Sequence, residues 1–274
     1  MKKIALIVNF EKKDAKAVST ELINLIKDKA EFYSDEETAK RLDGVNTLSE
    51  KELFSKCKVV AVLGGDGTII AAAKRCAPYG NILLGINTGN LGYLAMIEST
   101  NLPMAAEMLL ADEIHSDKRS MLCARVYSKG EVVGEYHALN EVVLSRGDCP
   151  HLINFTAYSE NKIVCEYRAD GIIAATPTGS TAYSMAAGGP LVSPDSDIML
   201  LTPICPHMLR ARSIVLPPKL IKVKADQSAV LSIDGTAHRT LETDEYITIE
   251  HSPYSANIAH LPDLSFYDIL QKKL

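Results

Sequence analysis

The residues with the clearest chemical potential form the run Gly64-Gly65-Asp66-Gly67-Thr68, which follows the β-branched segment Val59 to Leu63. Glycines allow the backbone to approach an anion closely, and the N–H groups at the start of a following helix are free donors at the positive end of its dipole. A carboxylate repels phosphate unless it binds a cation or accepts a proton from an attacking hydroxyl. The run therefore predicts phosphoryl transfer, with Gly64, Gly65, Gly67 and Thr68 as a phosphate loop. The alternative is a tight turn in which Asp66 caps the helix.

Two common nucleotide-binding loops do not fit this sequence. The chain contains no Gly-Lys dipeptide, which excludes a Walker loop. In the segment that begins at Gly65, Ile70 stands where a dinucleotide-binding fingerprint requires its third glycine. The glycine-Asp loop therefore belongs to another kind of phosphate site.

A second glycine-containing loop, Asn87 to Leu94, follows the buried-strand pattern of Asn81 to Ile86. Ligands of open α/β sheets bind at the carboxyl ends of the strands, so we expect this loop to face the same crevice as Asp66. The alternative is a glycine turn that Tyr93 and Leu94 close by entering the core.

The pair Asn140-Glu141 lies between the apolar residues Ala138-Leu139 and Val142-Val143-Leu144. An amide and a carboxylate inside an apolar strand are costly to bury without partners. The pair therefore indicates a ligand site, with an ordinary edge strand as an equal alternative.

The segment Arg168 to Ser184 contains a charged pair, an apolar strand, a turn rich in hydroxyl groups and a helix start. This order would set backbone N–H groups and Thr or Ser hydroxyls beside an anion, while Asp170 faces a base or an ammonium group. In the alternative, Thr178 or Ser180 caps the helix and Arg168 forms a surface ion pair with Asp170. Asp234-Gly235, at the end of another strand, is typical of a hairpin turn.

The elements that must position these motifs change in character along the chain. Strand-like and helix-like segments alternate in residues 1–112, which predicts an α/β domain with a parallel sheet. Residues 113–257 read as successive short strands with polar turns, which predicts a β-rich domain. In the tail, residues 258–274, Phe266, Ile269 and Leu270 share one helical face. We expect this C-terminal helix to return to the first domain.

Composition restricts the possible partners and the compartment. The 274 residues carry 29 Lys and Arg against 34 Asp and Glu, a net charge of −5, which argues against binding nucleic acid or an anionic membrane by bulk charge. No apolar run approaches the length of a membrane span, and Asn9 and Glu11 interrupt the apolar start too early for a signal peptide. The six cysteines and the isolated histidines lack zinc-site spacing, so we expect reduced thiols, no metal ligands and a cytoplasmic protein.

Taken together, these motifs resemble those of the NAD kinase family. The likeness rests on Gly64 to Thr68, Asn87 to Leu94, Asn140-Glu141 and the block from Asp170 to Pro190, which occur in the family's order and span most of the chain. The first motif is shared with diacylglycerol-type lipid kinases and 6-phosphofructokinases. The run from Thr176 to Ser184 beside Asn-Glu is more particular to the family.

The resemblance implies that ATP donates its γ-phosphate to the 2′-hydroxyl of the adenosine ribose of NAD, with a divalent cation, usually Mg²⁺. Asp66 would accept the proton of that hydroxyl. Residues implied in NAD binding are Asp66, Gly67, Asn140, Glu141, Asp170, Thr178, Thr181, Ala182, Tyr183, Ser184, Met185 and Ala186. His151 and Arg168 are implied in phosphate-side or subunit-boundary contacts, since family members assemble as dimers or tetramers. Where the family has Asp-x-Gln, this chain has Asp234-Gly235-Thr236, so Thr236 is not assigned as a ligand.

Two other functions fit part of the same pattern. A lipid or sugar kinase could use the glycine-Asp loop, although the sequence has no evident lipid-facing helix. A dinucleotide-sensing module would bind NAD or NADP without consuming ATP, and the presence of Asp66 disfavours it.

Overall fold

The elements of the fold alternate first and then become predominantly β. The computed structural model describes residues 1–89, 92–95, 97–261 and 264–273. Its first part comprises β1 (Lys2–Val8), α1 (Ala15–Ile26), β2 (Ala30–Ser34), α2 (Glu36–Arg41), β3 (Val45–Thr47), α3 (Glu50–Lys56), β4 (Val59–Gly64), α4 (Asp66–Cys76), β5 (Ile82–Asn87), β6 (Ile97–Glu98) and α5 (Leu102–Leu110).

The second part of the chain consists mainly of strands. In order these are β7 (Ser116–Ser128), β8 (Glu131–Ala138), β9 (Glu141–Ser145), β10 (Ile153–Ser159), β11 (Lys162–Ala169), β12 (Gly171–Ala175), the short helix α6 (Tyr183–Ala186), β13 (Met199–Ile204), β14 (Ile214–Leu216), β15 (Ile221–Ala225), β16 (Ala229–Ile233), β17 (Thr236–Leu241), β18 (Tyr246–Ala259) and the helix α7 (Phe266–Lys273).

Contacts divide the chain into two units. The first contains Met1–Lys118 together with Ser255–Leu274, and the second contains Arg119–Tyr254. The strand β18 contributes to both, because its early residues pair with β15 and its later residues pair with β5. The boundaries expected from sequence, after residues 112 and 257, lie a few residues from these divisions.

A parallel sheet forms the centre of the first unit. Its strands run in the order β18-β5-β4-β1-β2-β3, and each of these neighbouring pairs is parallel. All six residues of β4 are buried, as expected for a strand covered on both faces. The helix α1 buries Val18, Leu22, Ile23 and Ile26 at helical spacing. The expected α/β domain is confirmed.

Two antiparallel sheets form the second unit. One has the order β14-β13-β12-β9-β16-β17, and the other includes the antiparallel set β11-β10-β15-β18. Apolar side chains from both belong to one buried cluster, for example Leu144 and Leu201 from the first and Phe155 and Val223 from the second. The expected β-rich domain is confirmed.

The helix α7 belongs to the first unit. Ile269 is its buried residue, and the ammonium group of Lys273 lies 5.4 Å from the centre of the Tyr93 ring. The expected return of this helix to the first domain is therefore confirmed. Residues 262, 263 and 274 of the tail fall outside the described residues.

Candidate active site

The glycine-Asp loop is the junction between β4 and α4. The strand ends at Gly64, Gly65 is the residue that precedes the helix, and Asp66 is the first residue of α4. Added Cβ atoms at Gly65 or Gly67 would meet no described atom within 4 Å, so space is open in front of both backbones. This is the arrangement that anion binding at a helix start requires. The alternative in which Asp66 caps the helix is wrong, because Gly65 occupies that position.

The Asp66 carboxylate faces the second glycine-containing loop. Its Oδ2 accepts a hydrogen bond of 2.7 Å from the N–H of Tyr93, and its Oδ1 accepts bonds of 3.1 and 3.2 Å from the N–H groups of Leu94 and Ala95. The structure thus brings together two motifs that the sequence separates, although Asn90 and Leu91 of this loop lie outside the described residues. Three backbone donors fix the carboxylate and leave it capacity for one further donor.

Gly92 makes this contact sterically possible. A Cβ atom at Gly92 would lie 1.9 Å from Asp66 Oδ1. Only a displacement of the carboxylate could relieve this clash. The close approach of the two backbones, rather than a glycine turn alone, therefore explains this residue. Leu94 does enter the core, whereas Tyr93 is only half-buried.

In the second unit, Asp234 holds the Asn140-Glu141 pair. Its carboxylate accepts hydrogen bonds from the N–H groups of Leu139, Asn140 and Glu141, at 3.0, 2.8 and 3.1 Å. The N–H of Asp234 donates in turn to the carbonyl oxygen of Glu141. The predicted Asp234-Gly235 hairpin turn is present between β16 and β17. Sequence reasoning missed the second role of this turn, which fixes the backbone of the Asn-Glu pair.

Three predicted site residues of the second unit each have a buried polar atom without a hydrogen-bond partner among the described residues. These atoms are Asn140 Oδ1, Glu141 Oε2 and Thr178 Oγ1, on side chains that are 9 %, 5 % and 6 % exposed. Gly179 packs against Asn140 so closely that a Cβ atom would lie 2.1 Å from the Asn140 carbonyl oxygen. Buried polar groups are normally satisfied, so these three atoms indicate a place where a ligand supplies the missing bonds.

Burial makes Glu141 a weaker acid than an exposed glutamate. Desolvation, followed by the negative charge of Asp234, raises the pKa of Glu141 from 4.5 to about 7, although the N–H of Tyr183 stabilises its charged form. The carboxyl group therefore changes its charge near neutral pH. It can donate to a ligand oxygen when protonated and accept from a ligand hydroxyl when ionised.

The hydroxyl-rich segment after β12 forms a 3₁₀ turn, Thr178–Thr181, followed by the single-turn helix α6. The residue that precedes α6 is Ala182, which makes no capping hydrogen bond with its side chain. The alternative in which Thr178 or Ser180 caps the helix is therefore wrong. Ser184 is fully buried and its hydroxyl bonds to Thr202 Oγ1 at 3.0 Å. The remaining predicted NAD contacts in this segment are partly or fully exposed: Thr181, Ala182, Tyr183, Met185 and Ala186.

Asp170 lies at the opposite end of β12 from this segment. The five residues of β12 span roughly 17 Å. Asp170 accepts a hydrogen bond of 2.6 Å from Arg146 Nε and forms its ion pair with this residue. The alternative in which Asp170 pairs with Arg168 is therefore wrong. Arg168 and His151 are exposed. The structure therefore does not gather these three residues with Asn140, Glu141 and Thr178.

Comparisons with known proteins connect both sets of residues to one family. The family model described as ATP-NAD kinase N-terminal domain matches residues 4–114, and that described as ATP-NAD kinase C-terminal domain matches residues 139–261. A NAD kinase of Symbiobacterium thermophilum is 39% identical and the match covers 100% of this chain and 99% of the relative. The chain belongs to the NAD kinase family. A NAD kinase of Caldanaerobacter subterraneus subsp. tengcongensis is 37% identical over similar shares of both chains.

Solved NAD kinase folds agree with this membership. Yeast NADH kinase, solved as a complex with NADH, superposes with a TM-score of 0.87 at 22% identity and covers 96% of this chain and 84% of the yeast chain. A NAD kinase from Archaeoglobus fulgidus, solved as a complex with ATP, has a TM-score of 0.76 at 24% identity and covers 99% and 98%. At these identities the likeness establishes the fold. The family membership replaces the lipid-kinase and sugar-kinase alternative.

Among the residues that the structure describes, none of the helices is both long and apolar enough to span a bilayer.

Proposed function

We propose that this chain transfers the γ-phosphoryl group of ATP to the 2′-hydroxyl of the adenosine ribose of NAD, which produces NADP and ADP in the cytoplasm. The supporting observation is the Asp66 carboxylate, fixed by three backbone N–H groups at a helix start beside two open glycines. The relatives named NAD kinase, which match the whole chain, support the choice of acceptor.

Asp66 is the proposed proton acceptor. The 2′-oxygen forms a bond to the γ-phosphorus as the bond from that phosphorus to the β–γ bridging oxygen breaks, and ADP leaves with the bridging oxygen. The hydroxyl proton passes to the remaining acceptor position of the carboxylate. Such a fixed base aligns a poor nucleophile and contributes about 10²- to 10⁴-fold to the rate. Gly64, Gly65, Gly67 and Thr68 present the helix start to phosphate oxygens.

The NAD-binding residues are proposed in the second unit. Asn140, Glu141 and Thr178 offer the three buried polar atoms without partners, which suits the hydroxyl and amide groups of a nucleoside. The partly exposed residues Thr181, Ala182, Tyr183, Met185 and Ala186 would frame the same ligand, and Ser184 would support them through its bond to Thr202.

Asp170, Arg168 and His151 require a different role, because β12 separates Asp170 from the buried polar atoms. We assign Arg168 and His151 to phosphate-side contacts at a boundary between subunits of a homodimer or homotetramer, and Asp170 to contact with a base or an ammonium group of NAD. The exposed positions of Arg168 and His151 agree with such a boundary.

A divalent cation, Mg²⁺, is the proposed companion of ATP. Asp66 fits poorly as its ligand, because three N–H groups already occupy most of the carboxylate's acceptor positions. Mg²⁺ commonly binds through substrate phosphates and water, so ATP itself would carry the ion. No residue of this chain is assigned to hold it.

The test is a coupled assay in which purified protein, ATP, Mg²⁺ and NAD are incubated and NADP is measured with an NADP-specific dehydrogenase. Asp66→Asn should lower kcat by about 10²- to 10⁴-fold while NAD affinity changes little, since the side chain keeps its size but loses its proton affinity and one oxygen that accepts a backbone N–H group. Asp35→Asn is the matched control, because Asp35 caps α2 in the same unit and asparagine caps helices equally well.

Two outcomes of this assay would contradict the proposal. Full activity of Asp66→Asn would remove Asp66 from its role as base. If the folded wild-type chain makes no NADP with ATP or with polyphosphate, the proposed reaction is wrong, and ATP consumption would then separate another acceptor from a binding module.

A further inference from the structure

A second cluster of chemically competent side chains lies on the β7–β8 hairpin, within the second unit. Cys123 and His137 are direct cross-strand partners, and Glu135 lies two residues before His137 on the same face. One ligand atom from each of the three, the Cys123 sulfur, a Glu135 oxygen and a His137 ring nitrogen, lies within 4.8 Å of the other two. No residue of this cluster has a role in the proposed phosphoryl transfer.

Neighbouring residues hold two of these side chains in the orientation that a metal ion needs. The Ser252 hydroxyl lies 3.0 Å from His137 Nδ1, and this contact leaves Nε2 directed towards Glu135 Oε1 at 3.5 Å. The other oxygen of Glu135 accepts a hydrogen bond of 2.7 Å from Arg125 Nε. Metal-binding histidines and carboxylates are typically fixed through their outer atoms in this way.

The charges around the cluster favour a divalent cation. Arg125 forms ion pairs with both Glu135 and Glu250, so one guanidinium faces two carboxylates and the sum is −1. Ionisation of the Cys123 thiol would bring the sum to −2. A divalent ion would therefore neutralise the cluster, and Arg125 would remain bound to both carboxylates.

We propose that Cys123 Sγ, Glu135 Oε1 and His137 Nε2 bind a zinc ion, with water as the fourth ligand. A thiolate, an imidazole and a carboxylate form a ligand set that suits Zn²⁺. On binding, the sulfur–proton bond of Cys123 is replaced by a sulfur–metal bond and the proton passes to solvent. The ion would join Cys123 of β7 to Glu135 and His137 of β8, and Ser252 would connect the site to β18. This site is independent of the proposed kinase reaction.

Cobalt(II) is the probe, because a cobalt–thiolate bond gives a near-ultraviolet charge-transfer band that oxygen and nitrogen ligands do not give. The full chain, freed of metal with EDTA and dialysed, is titrated with Co²⁺. We expect one equivalent to produce the band and Zn²⁺ to abolish it by displacement. Ser252→Ala should weaken Co²⁺ binding by about 10- to 100-fold, because it releases the His137 ring without removing a ligand.

Two variants assign the band to Cys123. Cys123→Ala should abolish the band, whereas Cys205→Ser, which removes an exposed thiol outside the cluster, should leave it unchanged. Circular dichroism establishes that each variant is folded. If folded wild-type protein gives no charge-transfer band, or if the band survives in Cys123→Ala, the site is not a zinc site.

Discussion

At the scale of single residues, the polar atoms without partners indicate function more directly than the charged residues do. Glu141 Oε2 and Thr178 Oγ1 are buried without hydrogen-bond partners in the described part of the chain, which is costly unless a ligand completes them. Sequence alone identified both positions through their unusual neighbours. It could not identify Asp234 as the support of the Asn140-Glu141 backbone, because Asp-Gly after a strand predicts a hairpin whether or not the carboxylate accepts further hydrogen bonds.

Glu141 should make the stability of the protein depend on pH. Its pKa is raised to about 7 in the folded state, against 4.5 in the unfolded chain, mainly by burial. The contribution of this group is therefore fully present below pH 4.5 and is lost as the pH rises through 7, by about 3 kcal/mol in total. Glu141→Gln should not show this loss.

The measurement is urea denaturation of wild type and Glu141→Gln at pH 5, 6, 7 and 8. As the pH rises, the free energy of unfolding of the wild type should decrease relative to that of the variant. The exposed Glu242→Gln serves as the control and should parallel the wild type. Parallel curves for Glu141→Gln would show that this carboxyl group titrates normally.

At the scale of elements, long apolar segments were predictable and short polar ones were not. The strand β4 and the helix α1 follow from an apolar run and from helical spacing. Sequence reasoning missed β2, where buried and half-buried residues alternate, α2 and β3, where Thr38 is the buried residue, and β17, where Leu241 is. The strands β2, β3 and β17 owe their conformation to pairing with neighbouring strands, which a local pattern does not contain.

The contact between the start of α4 and the loop at Tyr93 depends on a missing side chain. Gly92→Ala should displace the Asp66 carboxylate, since the new Cβ atom would lie 1.9 Å from Oδ1. We expect kcat to fall by at least about 10-fold, because an Ångström-scale displacement of a base disrupts proton transfer. Gly89→Ala, in the same loop, has its nearest described neighbour at 3.8 Å and should retain activity. Equal activities of the two variants would contradict this account.

At the scale of the whole molecule, the two units carry different parts of the family signature. The glycine-Asp loop belongs to the first unit, and the Asn-Glu pair with its Asp234 support belongs to the second. Their order along the chain allowed the family to be inferred from sequence. The Cys123–Glu135–His137 cluster was not predictable, because its ligand spacing arises from strand register and matches no linear metal motif.

The return of α7 to the first unit should contribute measurably to stability. Ile269 is 1 % exposed, so Ile269→Ala should lower the free energy of unfolding by about 2–4 kcal/mol. Tyr267→Ala, on the exposed side of the same helix, should change it by less than about 0.5 kcal/mol. Thermal unfolding of both variants measures the difference. Similar melting temperatures would mean that α7 contributes little to the packing of the first unit.

The contact of Lys273 with the Tyr93 ring also has a consequence for the order of events during translation. Tyr93, whose N–H group holds Asp66, leaves the ribosome early, whereas Lys273 is added only after the entire second unit has been synthesised. At about 5–20 residues per second this interval is on the order of ten seconds. A nascent chain therefore carries the loop at Tyr93 without its Lys273 contact for that time, and this contact forms only when synthesis reaches the end of α7.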